Sequence, residues 1–455
     1  MQALEEILLA QPALEHDVQA LGKTQAAAEN VALGLDILGP AVGPGPGVHS
    51  NGLLSGTVYL SLRVAASRRA GLPPGAVLHF AVTLVEPPGP RRRGGTVELF
   101  TIGVEEEFGL ADPVTGELKP AVHRVLAGLS EAERLEIKPD VHQATLETAT
   151  PVCLDLVEVE HELVRLRRHA RRAARLAGVE LFNAGAHPDC RWREQPYVHK
   201  QRYLMLADHQ GEAWLQCLFW GLHVHLGVPD EFERLELANR LRSYLPLFIA
   251  FAANSPYWEE KPHPAGNARM DIYSRLEYVG APPRFDSYDA VDRAIRSYAH
   301  LGARQIKDVY WDIRPRRVYP TIECRVCDMQ TSVEDSLLLV GLILLAALAL
   351  RDGDGVVEAA EEEIAPNREA AVAGGYEARI SLGGESLSVR EALLRFLESC
   401  RPLARRADLD DVHTRIARRV ESSFCPAVRY RELYQRAPGD HRVLLQRLNE
   451  LLLPA

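Results

Sequence analysis

The period of hydrophobic positions changes several times along this chain. Residues 1–38 carry Leu14, Val18 and Leu21 at helical spacing, with Pro12 as a break, which predicts one or two helices. A Pro/Gly stretch at 39–47 reads as a loop, and strand-like apolar runs follow at 57–64 and 77–85. The segment Glu86-Pro87-Pro88-Gly89-Pro90-Arg91-Arg92-Arg93-Gly94-Gly95 reads as a linker, so a small N-terminal α+β module is expected over 1–95 and a larger domain over 96–455.

Past residue 96 strands alternate with long helices. Residues 155–177 predict a helix with Leu156, Val159, Leu163 and Leu166 on one side. Its arginines, Arg165, Arg167, Arg168, Arg171, Arg172 and Arg175, are expected on a solvated face. The apolar run Leu337 to Leu350 is shorter than the roughly 20 residues of a membrane span. Glu334 and Asp335 before it and Arg351 after it suit the helix macrodipole, so it reads as a buried core helix. The rest of the C-terminal third is mostly helical, with one strand-like interruption from Glu377 to Leu382. The pattern predicts an α+β fold in which a mostly antiparallel sheet carries the site and helices pack behind it.

Composition narrows the function. The 455 residues hold 62 acidic and 52 basic side chains, a net charge of −10 that argues against general nucleic-acid binding. Seven scattered cysteines suggest a reducing compartment rather than a disulfide framework. The acidic start, Met1 to Glu6, lacks the basic region of a secretory signal, so a cytoplasmic location without membrane attachment is expected.

Candidate chemistry lies in five short strand-like segments: Gly103 to Phe108, Gln143 to Glu147, Leu222 to Leu226, Trp311 to Arg314 and Thr321 to Arg325. Alternation puts Glu105 with Glu107, His223 with His225, and Glu323 with Arg325 on single faces, while Glu106 falls with Ile102, Val104 and Phe108. Carboxylates, imidazoles and arginines gathered on one face need divalent cations and a polyanion among them. That is magnesium–ATP chemistry, and neither a P-loop nor a dinucleotide-binding glycine motif is present to offer another route. His-x-His spacing also occurs in zinc hydrolases, but the surplus of glutamates suits a hard cation better. Cys324 and Cys327 have Cys-x-x-Cys spacing, yet strand alternation is expected to put their sulfurs on opposite faces, against a zinc or redox role. Arg191, Trp192, Arg202 and Tyr203 lie in loop-like sequence of the kind that often contacts substrate.

Thr101 to Phe108, Leu222 to Asp230, Ala253-Asn254-Ser255-Pro256-Tyr257-Trp258, Trp311 to Pro315 and Tyr319 to Asp328 together resemble the type-2 glutamate–cysteine ligase family, also called carboxylate–amine ligases. Thr150-Pro151-Val152-Cys153, His187-Pro188 and Arg191-Trp192 extend the resemblance over about residues 100 to 350. It implies a glutamine-synthetase-like funnel of curved antiparallel sheet. It also implies ATP-dependent activation of a carboxylate as an acyl phosphate, with attack by an amine to give an amide. On this resemblance Glu105, Glu107, Glu147, His223 and Glu323 hold magnesium, or manganese in its place. Arg325 and Arg314 are the catalytic cations, and His225, Arg325, Asn254 and Ser255 meet the nucleotide. Arg191, Trp192, Arg202 and Arg269 meet the substrates.

The chain departs from the family pattern at residues 1–95, at Gly266 to Glu277 and at Asn367 to Tyr376, which implies a carboxylate and an amine other than glutamate and cysteine. A phosphotransferase on the same fold and a non-catalytic nucleotide-binding pseudoenzyme are the alternatives, and homo-oligomerisation is left open.

Overall fold

The computed structural model describes residues 56–63, 77–84, 97–353 and 358–454. The chain divides into two units, Met1–Gly89 and Pro90–Ala455. In the first, strands β1 (Gly56–Arg63) and β2 (Val77–Leu84) pair antiparallel, with Gly56 opposite Leu84. The expected helices of 1–38 and the linker at 86–95 lie outside the described residues.

The second unit is built on a seven-stranded antiparallel sheet. Its strands are β3 (Thr101–Ala111), β4 (Ile137–Pro139), β5 (Thr145–Ala149), β6 (Glu180–Phe182), β7 (Gly221–Gly227) and, later in the chain, β12 (Ile313–Pro315) and β13 (Thr321–Asp328). The order is β12-β13-β7-β3-β5-β4, with β6 also pairing with β3. Between β7 and β12 lie two short ladders: antiparallel β8 (Tyr257–Trp258) with β9 (Lys261–Pro262), and parallel β10 (Val279–Gly280) with β11 (Tyr310–Trp311). The α+β class and antiparallel sheet are as the sequence pattern predicts.

Alternation along these strands sorts the side chains by chemistry. Ile102, Val104, Phe108, Leu222, Val224 and Cys324 point to one buried face. Helices Leu156–Leu176 and Val333–Asp352 help to cover it. The second helix is long and apolar enough to cross a membrane, and it is buried within the fold instead. Ser332 caps its start, accepting from the Asp335 N–H at 3.1 Å while Asp335 accepts from the Ser332 N–H at 3.3 Å.

Glu106 shares the apolar face and is fully buried, and its partner overturns one expectation. Arg167, assigned to a solvated stripe by composition, is also fully buried. Its Nε and Nη2 donate to the two Glu106 oxygens at 2.8 and 2.6 Å. Its remaining donors reach the carbonyls of Gln330, Thr331 and Leu452 and the Ser336 hydroxyl. Helical spacing explains this place: Arg167 stands four residues after Leu163 and three before Ala170, on the buried stripe.

A bulge in β13 is the other departure from simple alternation. Cys324 pairs with Val224 and Cys327 with Leu222, so Arg325 and Val326 together stand opposite His223. The extra residue turns Cys324 and Cys327 onto the same buried face, contrary to the expected opposite placement. The argument against a zinc or redox pair then rests on burial, which together with the neighbouring Cys324 pushes the Cys327 thiol well above its usual range.

Candidate active site

The other sheet face gathers the acidic and basic side chains. Register does the assembling: Glu105 lies opposite His223, Glu107 opposite Glu147, His225 opposite Glu323, and Glu323 opposite Arg314. Directly paired residues share a face, so one antiparallel sheet gathers segments more than two hundred residues apart in sequence.

Two groups of ligand atoms form there. Atoms of Glu105, His225 and Glu323 lie within 4.8 Å of one another, as do those of Glu107, Asp140 and Glu147. Asp140 is absent from the sequence-based set. Lys138 pairs with Glu147 in the β4–β5 ladder, and Asp140, two residues on, continues that phase. His225 joins the first group, and His223 stands between the two: its Nδ1 lies 3.0 Å from Glu105 Oε2 and 3.3 Å from Arg325 Nη1, and its Nε2 lies 3.7 Å from Glu107 Oε1.

The cations stand beside the first group. Arg314 Nη1 donates to Glu323 Oε1 at 3.2 Å and Arg316 Nη1 to Oε2 at 2.8 Å, and Arg325 also bonds Glu323. Arg316 had no place in the sequence-based set. Arg269 Nη2 donates to the Arg325 carbonyl at 3.2 Å. A Cβ at position 221 would come within 2.4 Å of that same Nη2, so glycine is what lets the guanidinium lie against β7. The Gly221 N–H in turn donates to Glu107 Oε2 at 2.6 Å.

Burial and charge perturb these groups in opposite directions. Burial and the facing Asp140 push Glu107 up to about 7. Burial, Glu105 and Asp140 push Glu147 well above the usual carboxylate range. Burial also raises Glu323, but Arg314 and Arg325 outweigh it and hold the group well below that range. For Glu105 the histidine hydrogen bonds outweigh burial in the same way. Burial and Arg325 push His223 down to about 3, and burial with Arg325 lowers Arg314 to about 10. Arg269 and Arg325 pull Glu107 the other way and Lys138 pulls Glu147, but none of them overcomes burial and the crowding carboxylates, and His225 Nε2 stands 3.5 Å from Glu105 Oε1. Hard oxygen ligands with one imidazole are a donor set that fits magnesium or manganese.

Several expected contacts lie elsewhere. Asn254 and Ser255 are fully buried: the Asn254 amide donates to Met329 O and Thr331 Oγ1, and the Ser255 hydroxyl to Asp328 Oδ2 at 2.7 Å. They brace the sheet end from inside. Arg191 pairs with Asp189 and Glu117, and Trp192 Nε1 donates to Glu259. Arg202 lies on helix Gln201–Gln210 with its side chain outside the described residues. Asp312, in phase with Arg314, is taken up by Arg368.

Residues 101–447 match the model of glutamate-cysteine ligase family 2. A protein of Sorangium cellulosum (strain So ce56) named "Putative glutamate–cysteine ligase 2" is 32% identical over 358 residues, covering 76% of this chain and 94% of its own length. A Gloeobacter violaceus protein of the same name is 33% identical over 55% of this chain and 68% of its own. The fold is shared with a bifunctional glutathione synthetase from Pasteurella multocida (TM-score 0.61, 12% identity, 78% of this chain and 52% of that one). It is shared also with a glutamate–cysteine ligase from Francisella tularensis solved in complex with AMP (TM-score 0.58, 15% identity, 79% and 91%).

Proposed function

This chain belongs to glutamate–cysteine ligase family 2, and from that footing we propose that it is an ATP- and magnesium-dependent ligase that activates a carboxylate as an acyl phosphate and joins it to an amine. The observation that carries the reading is the pair of ligand groups, Glu105–His225–Glu323 and Glu107–Asp140–Glu147, on one sheet face with Arg314 and Arg325 alongside. Phosphoryl transfer is catalysed mainly by positioning and by neutralising charge, and that is what this residue set can supply. Bound magnesium would neutralise phosphate oxygens and template their approach. Of the chain's own residues, Arg325 offers a charged fork toward the transferring phosphate, and Arg314 and Arg316 hold Glu323 ionised and fixed. His223 stays neutral between Glu105 and Arg325.

The direct test incubates the protein with ATP, magnesium and pairs of carboxylates and amines, glutamate with cysteine among them, and follows ADP release with mass detection of product. A condensed amide in step with ADP is expected. ADP with a stable phosphorylated acid would favour the phosphotransferase instead, and no nucleotide turnover with any pair would sink the ligase reading.

Magnesium is also expected to stabilise the protein in a pH-dependent way. Metal binds the deprotonated carboxylate, and Glu107 in the metal-free fold keeps its proton up to about pH 7. Protons therefore compete below that pH, so the magnesium-induced rise in melting temperature should be larger near pH 8 than near pH 6. Glu147→Gln should shrink that rise without lowering the metal-free melting temperature, because it removes a carboxylate crowded by its neighbours. Equal shifts at both pH values, or a normal shift in the variant, would count against these ligands.

A further inference from the structure

Arg325 sits in the β13 bulge, where the ladder to β7 no longer fixes its orientation, so other anchors must. Its N–H donates to the Asp312 carbonyl at 2.8 Å. Asp312 is held in turn: its N–H donates to the Gly280 carbonyl at 2.9 Å, and both arms of Arg368 clasp its carboxylate, Nη2 to Oδ1 at 3.2 Å and Nε to Oδ2. The pair is buried, with Asp312 1% and Arg368 4% exposed. The last arm of Arg368, Nη1, donates to Ser274 Oγ at 3.0 Å, and that hydroxyl donates to the Met270 carbonyl at 2.7 Å. Arg368 comes from helix Glu361–Gly374, which supplies none of the clustered carboxylates.

We propose that Arg368 is a positioning residue for Arg325: by clasping Asp312 it holds the main chain against the bulge and sets where the Arg325 fork points. The proposal rests on the reading of Arg325 as the cation at the transferring phosphate. A buried ion pair is weak evidence for stability and better evidence for fixing one conformation. Here the conformation fixed is that of the residue whose aim matters most, and a misplacement of about 1 Å can cost about 10²-fold in rate.

Two variants test it. Arg368→Lys keeps the charge and loses the two-armed clasp. Asp312→Leu with Arg368→Leu removes both buried charges together, which avoids an unpaired one, and leaves the Asp312 main chain in place. In either variant that keeps a cooperative thermal transition, kcat should fall about 10- to 100-fold with the KM for ATP within about threefold. Deuterium uptake at the Arg325 amide, read in a peptide over 321–328, should rise. Wild-type kcat in a folded variant overturns the proposal. So does a loss of kcat without faster exchange, because the link acts through the Arg325 main chain. If the double variant does not fold, Arg368→Lys decides by the same two measures. Undiminished ADP release by Arg325→Ala would remove the reading of Arg325 itself, and the exchange measurement would then decide the structural link alone.

Discussion

Arg325→Ala is expected to lower turnover by about 10³-fold or more while leaving the fold intact, because on the proposed reading Arg325 is the cation that meets developing charge on the transferring phosphate. Burial works against the Arg325 charge, but Glu323, Tyr273 and Glu107 outweigh it and raise its pKa well above the usual arginine range. It is therefore charged at every working pH. Its Nη1 bonds Glu323 while its Nε is buried without a partner, so donor capacity is left for an anion. Arg325→Lys should recover little, since an ammonium offers a point charge in place of a fork. The loss should fall on kcat more than on the KM for ATP, as an interaction made in the transition state requires. Steady-state ADP release over a range of ATP concentrations, with circular dichroism as the check on folding, measures it. Activity within tenfold of wild type in a folded Arg325→Ala protein would contradict the assignment.

How far this site could be read from sequence depended on which periodicity governed each residue. Glu105 with Glu107, and Glu323 with Arg325, needed only strand alternation, and the shared strand of the first pair and the bond within the second agree with it. Asp140 was missed because its phase comes from the β4–β5 hairpin, and β4 is a three-residue strand too short to announce itself. The bulge was invisible for a different reason: nothing in Cys324-Arg325-Val326-Cys327 marks an inserted residue, so the faces of the cysteines were misassigned. Asn254 and Ser255 look like ligand-binding groups in a polar block, and in the structure they answer the demand for buried hydrogen-bond partners at the sheet end. Arg167 carried a usable signal. Its helical spacing from Leu163 and Ala170 set it apart from the neighbouring arginines, and only their shared composition hid it.

Arg167→Met should therefore have the largest effect on stability, lowering it by about 3–5 kcal/mol, because breaking a buried pair from one side leaves an uncompensated charge. Glu106 would keep only the Ser336 hydroxyl, which donates to it at 2.7 Å. The carbonyls of Gln330, Thr331 and Leu452 would also lose Arg167 as a donor, at about 1–3 kcal/mol for each left unsatisfied. Glu106→Gln should cost less, since a glutamine oxygen can still accept from Arg167 and Ser336. Pairing Arg167→Met with Glu106→Leu should recover part of the loss but not all, because the double variant still takes Arg167 from the Gln330 and Leu452 carbonyls, whereas Thr331 O keeps the Asn183 amide at 2.6 Å. The recovery follows from removing both charges at once; its limit follows from Arg167 being donor to two segments of main chain as well as counter-ion. Denaturant unfolding of the four proteins gives the ranking, with shifts in midpoint at constant slope as the expected form. Glu106 faces away from the carboxylate cluster, so at temperatures where each variant is folded its turnover should stay near wild type. A loss below about 1 kcal/mol for Arg167→Met would mean that water or a neighbouring donor replaces the guanidinium, and the pair would then not be what fastens the sheet to its helices.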